Sequence, residues 1–218
     1  MDYFPIANAS KYFQKPQIKK ILPLAVRALT NLQKPKKKFS GVQVKSQNNL
    51  LKDALNGIET FIDHYDHKIQ IGFYLNKLVK VSLKKSTEKY RKFKPTLTHG
   101  DFFFDHQDTH YNHPLLDISS LIFDARRSYS TKVEDKLLKL YARRMKLNLK
   151  QLRSDIHMIS LLRNLRILGN WVQLYNAGKP KYLKVFRKNT WAQIFKHVEY
   201  LRLWDLREIF MEIYNKTS

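Results

Sequence analysis

The sequence of 218 residues contains no cysteine, which excludes disulfide bonds, thiolate metal sites and a cysteine nucleophile. This absence counts against a disulfide-stabilised secreted protein and favours a cytoplasmic one. No stretch approaches the roughly 18 consecutive apolar residues of a membrane span, so we expect none. The first residues lack a basic segment followed by an apolar one, so we also expect no signal peptide.

Glycine and proline are scarce, with six and seven residues, which predicts few tight turns and many helices. Hydrophobic residues make up 43% of the chain, and 13 Phe and 12 Tyr are among them. This content excludes a disordered polyelectrolyte, because it is enough apolar surface to build a core. The length predicts a single domain over residues 1–218.

Acidic residues are few, with 18 against 41 Lys and Arg, so the formal net charge is +23. Such a balance predicts attraction to polyanions, whether nucleic acid, anionic lipid or nucleotide. The basic residues are dispersed, however, which favours the compositional bias of an AT-rich genome over a dedicated binding face. A nucleic-acid-binding module therefore stays as an alternative function and is not the favoured one.

Apolar residues repeat at spacings of three and four along most of the chain, which is typical of helices. A short passage from Pro95 to Phe104 reads as strand, loop and strand, and it is the only region with β character. We therefore expect a mainly α fold with a small β element. The predicted helical segments are Leu22–Leu32, Leu51–Tyr65, Ile71–Val81, Leu116–Arg127, Val133–Ala142 and Leu152–Tyr175, with Asn189 and Asp205 as N-caps of two more.

The tripeptide His99-Gly100-Asp101 opens a cluster of histidines and aspartates within this β region. Three interpretations remain open from local composition. The cluster is a phosphoryl-transfer site with Asp101 as base and Asp105 as magnesium ligand, a His/Asp metal site for hydrolysis, or a polar loop without chemistry. The cluster consists of His99, His106, His110, His113, Asp101, Asp105, Asp108 and Asp117.

The order of the motifs around this cluster resembles the aminoglycoside phosphotransferase family. It is most similar to the bacterial N-acetylmuramate and N-acetylglucosamine anomeric sugar kinase branch. The similarity covers about Leu22 to Phe210. The segments that carry it are Leu97–Phe102, Asp105–Asp108, Pro114–Ile122, Leu162–Gly169 and Lys179–Leu183.

The resemblance implies a protein-kinase-like fold in which this chain is the helical C-terminal lobe. It implies ATP and Mg²⁺ as cofactors and a sugar or amino sugar as the substrate. In this family pattern, Asp101 orients and deprotonates the sugar hydroxyl, and Asp105 binds the magnesium. Asp117 braces the catalytic loop from the helix that follows it.

The chain departs from the family pattern in two places. It has no Gly-rich phosphate loop and no strand-borne Lys, so we expect the ATP-binding β lobe to be absent and residues 1–20 to be a remnant or linker. The position of the catalytic-loop Asn is taken by His106, and magnesium prefers oxygen ligands. We therefore expect an impaired or incomplete enzyme, with a separate N-lobe chain as a partner. A non-catalytic interaction protein is the other alternative.

Overall fold

A computed structural model describes residues 18–34, 42–45, 47–70, 72–88, 90, 93–99 and 110–218. The described residues form nine helices and one sheet of two short antiparallel strands. This confirms the prediction of a mainly α fold with a small β element. Asp101 and Asp105 lie outside the described residues, and so does most of the predicted N-terminal remnant.

Four helices precede the sheet and five follow it. The first four are α1 (Ile18–Gln33), α2 (Gln47–His64), α3 (Asp66–Ile69) and α4 (Gly72–Glu88). The strands are β1 (Thr96–Thr98) and β2 (His110–Asn112). The last five helices are α5 (Leu115–Ile122), α6 (Thr131–Met145), α7 (Leu149–Asn176), α8 (Lys181–Tyr200) and α9 (Trp204–Thr217).

Several predicted boundaries are wrong. The helix expected from Leu116 to Arg127 ends at Ile122. Asn189 does not cap a helix but lies inside α8, where its Nδ2–H donates to the carbonyl of Ala125 (2.8 Å). The apolar faces predicted for the first and third helices also extend beyond the buried residues, because Leu32 is 43% exposed and Val81 is 61% exposed. A three-to-four spacing locates the helix, but it does not show where the buried face stops.

The chain divides into two compact units, each assembled from three separate stretches. Unit 1 contains Met1–Lys45, Phe93–Ile122 and Tyr129–Arg153. Its helix α1 packs against α6, α5 and β1. The apolar face of α1 supplies fully buried Leu22, Val26 and Leu29. Unit 1 therefore holds the sheet and the described ends of the His-Gly-Asp segment.

Unit 2 contains Ser46–Lys92, Phe123–Ser128 and Ser154–Ser218. In its core the fully buried indole of Trp191 meets Phe61 and Phe210 edge to face, with ring centroids 5.6 and 5.9 Å apart. These aromatic contacts join α2, α8 and α9, and they add stability beyond simple area burial. The single domain expected from the sequence stays a prediction.

Helices α2 and α7 of unit 2 cross at a pair of glycines. A Cβ on Gly57 would lie 2.5 Å from the Arg166 Cα, and a Cβ on Gly169 would lie 2.6 Å from the Gly57 Cα. The obstructing atoms are backbone, so no change of rotamer relieves the clash. The two helices approach this closely because neither carries a side chain at the crossing. Among the described helices, none is both long and apolar enough to cross a membrane.

Substituting Gly57→Ala is expected to lower the free energy of unfolding by about 2 kcal/mol, because overpacking at the crossing outweighs the roughly 1 kcal/mol gain in helix propensity. Urea unfolding followed by circular dichroism measures the change. The control is Asn56→Ala at the exposed neighbouring position, which should stay within about 0.5 kcal/mol of wild type. A Gly57→Ala protein as stable as wild type would show that the crossing tolerates a side chain.

Candidate functional site

The two strands of unit 1 hold both ends of the segment that contains the predicted catalytic residues. Strand β1 pairs with β2 in antiparallel register, with Thr98 opposite His110. The Thr98 hydroxyl also donates a hydrogen bond to the His110 carbonyl (2.9 Å). Residues 100–109, which include Asp101, Asp105 and Asp108, therefore connect two paired strand ends. The strand partner of β1 lies at 110–112 and not before Phe104, as the sequence had suggested.

A third chain segment extends the sheet on the free side of β2. Val44 forms a parallel bridge with Tyr111. The Tyr111 N–H donates to the Gln43 carbonyl (2.8 Å), and the Lys45 N–H donates to the Tyr111 carbonyl (2.7 Å). Strand β2 is therefore hydrogen-bonded on both edges, which limits movement at the far end of the acidic segment.

Asp117 is the carboxylate that fixes the near end of this segment. It lies in the first turn of α5 and is fully buried. The His99 N–H donates to both of its oxygens, at 2.9 Å to Oδ2 and 3.1 Å to Oδ1. A buried carboxylate is tolerated only when such hydrogen bonds compensate for its lost hydration. The contact holds the backbone of the residue directly before Gly100-Asp101.

His113 has a structural role at the start of α5. Its ring Nδ1 accepts a hydrogen bond from the Leu115 backbone N–H (3.1 Å). The backbone N–H of His113 donates to the Asn112 Oδ1 (2.7 Å). Burial lowers the pKa of His113 to about 3, so the ring is neutral at physiological pH. The Phe93 ring lies edge-on against the His113 ring, with the ring centroids 4.1 Å apart. Because Nδ1 is already an acceptor, His113 acts as a helix cap and not as the base of the cluster.

A second polar cluster supports this arrangement from α1 and α6. The Gln33 Nε2–H donates to the Pro114 carbonyl (2.7 Å), and the Tyr141 hydroxyl donates to the Gln33 Oε1 (2.8 Å). Burial raises the pKa of Tyr141, and the negative charge of Asp117 raises it further. The phenol is therefore a permanent hydrogen-bond donor. Asp117 thus lies in a polar core that spans α1, α5 and α6.

The described part of the chain does not bring together a metal site. No group of three or more His, Asp or Glu side chains within it is placed to hold an ion. The Asp117 carboxylate accepts from the His99 N–H, and the ring Nε2 of His110 lies 2.9 Å from the Asn112 Nδ2. Asp105, the predicted magnesium ligand, and His106 and Asp108 are not among the described residues. The described residues alone therefore do not fit magnesium.

A buried histidine pair in unit 2 was not predicted from the sequence. The Nδ1 atoms of His157 and His197 lie 3.0 Å apart, so one ring donates its proton to the other. The Asn164 Nδ2 lies 3.4 Å from the His197 Nε2. The Tyr200 ring stacks on the His157 ring, with the ring centroids 3.7 Å apart. Both histidines lie on predicted helices without a neighbouring motif, so periodicity alone could not pair them.

Comparison with the models of known protein families found no match to this chain, and comparison with curated proteins found none either. The resemblance to the aminoglycoside phosphotransferases therefore stays a prediction from the ordered motifs in the sequence.

Substituting Asp117→Asn is expected to lower the free energy of unfolding by about 2–4 kcal/mol, because the amide loses the charge-assisted hydrogen bonds from the His99 N–H. Chemical denaturation measures the change. Asp205→Asn, at an exposed position of α9, is the matched control and should have little effect. Equal stability of the two variants would rule out Asp117 as the main anchor of this segment.

Stability is expected to depend on pH through the histidine pair. Burial, then the adjacent His157 and the Lys196 charge, hold the pKa of His197 well below its usual range. The unfolded chain therefore takes up a proton below about pH 6.5 that the folded chain does not. The free energy of unfolding is therefore highest above that pH and decreases as the pH falls below it. The slope is at most about 1.4 kcal/mol per pH unit for each proton.

Unfolding measured between neutral and mildly acidic pH should give a shallower slope for His197→Gln than for wild type. His67→Gln, at an exposed site on α3, is the control and should keep the wild-type slope. An unchanged slope in His197→Gln would mean that other groups, His113 among them, account for the acid sensitivity.

Proposed function

We propose that this chain is the helical lobe of a phosphotransferase of the aminoglycoside phosphotransferase and sugar kinase type, impaired or incomplete in catalysis. The single observation that carries the proposal is the contact between the His99 N–H and the buried Asp117 carboxylate. It holds the backbone ahead of Asp101 from the helix that follows the loop. This is the bracing role that the family resemblance implies for Asp117.

Phosphoryl transfer depends on positioning and on stabilising charge, with little covalent work for the protein. A catalytic carboxylate must lie within hydrogen-bonding distance of the hydroxyl that it deprotonates, so its loop needs a fixed backbone. Here the pairing of Thr98 with His110 and the Asp117 contact restrain both ends of the 100–109 connection. This restraint supports Asp101 as the group that orients the sugar hydroxyl and accepts its proton.

Asp117 is a positioning residue in this proposal, because its carboxylate accepts the hydrogen bonds that hold the backbone of His99. Asp105 would hold the magnesium, which neutralises phosphate charge when bound. His113 contributes by fixing the start of α5, which carries Asp117.

The proposal that catalysis is impaired is based on the sequence. The chain carries no Gly-rich phosphate loop, and His106 stands where the pattern has an Asn. Imidazole is a poor substitute for an amide oxygen on magnesium, which prefers oxygen ligands. Losing groups that position and neutralise the phosphates removes much of the rate acceleration.

The test is phosphate transfer from labelled ATP with Mg²⁺ to N-acetylglucosamine, N-acetylmuramate and an aminoglycoside. We expect slow transfer to one of these acceptors, far below the roughly 1–100 s⁻¹ of kinases. Asp101→Asn should reduce that rate by at least about 100-fold, the usual effect of losing a general base. Asp205→Asn should leave it unchanged.

Two results would contradict the proposal in different ways. Transfer that is undetectable, or equal in wild type and Asp101→Asn, would remove the phosphotransferase assignment. Turnover in the ordinary kinase range would keep the assignment and overturn the view that the enzyme is impaired.

A further inference from the structure

A group of exposed cations in unit 1 lines a groove between α1 and α6. Two adjoining hollows of about 460 and 240 Å³ share Pro23 and Lys136 among their lining residues. We call this surface the basic groove. Its cations are Arg27, Lys132, Lys136, Lys139 and Arg143.

The spacing of these cations follows from the helix. Lys132, Lys136, Lys139 and Arg143 recur at three and four residues, so they lie on one face of α6. From Lys132 to Arg143 the row extends about 16 Å at the helical rise. Arg27 of α1 borders the same groove from the other side. The result is a linear array with roughly one positive charge per helical turn.

Most of this charge is not neutralised by the described residues, none of which places a carboxylate within ion-pair distance of Arg27, Lys132, Lys136 or Arg143. Lys139 differs, because its Nζ lies 2.6 Å from the Asp135 carboxylate. Asp135 is also paired with Arg153, and Glu134 is buried. The acidic residues of α6 therefore leave the row of cations positive.

The other lining residues indicate how a ligand would be recognised. Pro23, Leu140 and Leu137 give the groove an apolar wall, and no aromatic side chain is among its lining residues. Without aromatic rings there is no platform for stacking bases. Recognition would therefore depend on repeated negative charge and not on base identity.

We infer that the basic groove binds the phosphodiester backbone of a single nucleic-acid strand, independently of its sequence. A linear row of cations matches a ligand whose charges repeat along a chain, whereas a small phosphorylated ligand would meet only one or two of them. A flat anionic membrane would reach the exposed cations without filling the groove. This activity is independent of the phosphotransferase proposal, since it uses none of the residues assigned there.

Fluorescence anisotropy with a labelled oligothymidylate of about 20 nucleotides tests the inference. With four phosphates neutralised, log K should fall against log salt with a slope of about −3. The double variant Lys136→Glu with Arg143→Glu should weaken binding at least about tenfold and reduce the slope by about 1.4. The control is Lys77→Glu with Lys84→Glu, an exposed pair on α4 with the same spacing and the same change in net charge.

Equal weakening by the two double variants would overturn the inference, because binding would then follow net charge alone. Binding of tripolyphosphate or anionic vesicles that depends on Lys136 and Arg143, without oligonucleotide binding, would also overturn it. The absence of cysteine permits a second measurement that leaves the charges intact. A photocrosslinker on Ser130→Cys, at the groove, should capture the strand, whereas one on Tyr74→Cys, exposed on α4, should not. Equal capture at both sites would contradict the assignment.

Discussion

The hydrogen bonds from the His99 N–H to the buried Asp117 carboxylate are the constraint on which the rest of unit 1 depends. A charged group without exposure to water is stable only while its partners stay in place. The strand end, the turn before α5 and the first turn of that helix must therefore form together. A local change at any of them weakens the hydrogen bonding of this buried carboxylate.

Both units use buried polar groups to fix the ends and crossings of their helices. In unit 1, His113 caps α5, and Gln33 connects Tyr141 to the Pro114 carbonyl. In unit 2, the His157–His197 pair lies among aromatic rings. Hydrogen bonds require defined distances and angles, whereas apolar contacts tolerate small shifts. Polar burial therefore specifies the arrangement, and apolar burial supplies most of the stability.

The helices were predictable because apolar periodicity reports directly on which face is buried, and Leu22, Val26 and Leu29 illustrate it. Pairing across long sequence distances was not predictable in the same way. The strand partner of β1 was placed too early, because three residues of strand carry little pattern and the histidines at 110 and 113 looked like ligands. His113 proved to be a cap, a role that depends on a neighbouring N–H and leaves no periodic signal. That residues 100–109 connect β1 to a strand at 110–112 was not predicted from the sequence, and Asp101 and Asp105 lie outside the described residues.

The division of each unit into three alternating stretches has a consequence for synthesis on the ribosome. Unit 1 is not complete until Arg153 has emerged, although its first helix is made near the start. Throughout that interval the nascent chain also carries residues 46–92, whose partners in α8 and α9 have not yet been made. The apolar faces of α2 and α4 therefore lack their contacts with α8 and α9 for much of translation. Apolar surface that is exposed during synthesis in this way makes a nascent chain prone to aggregation.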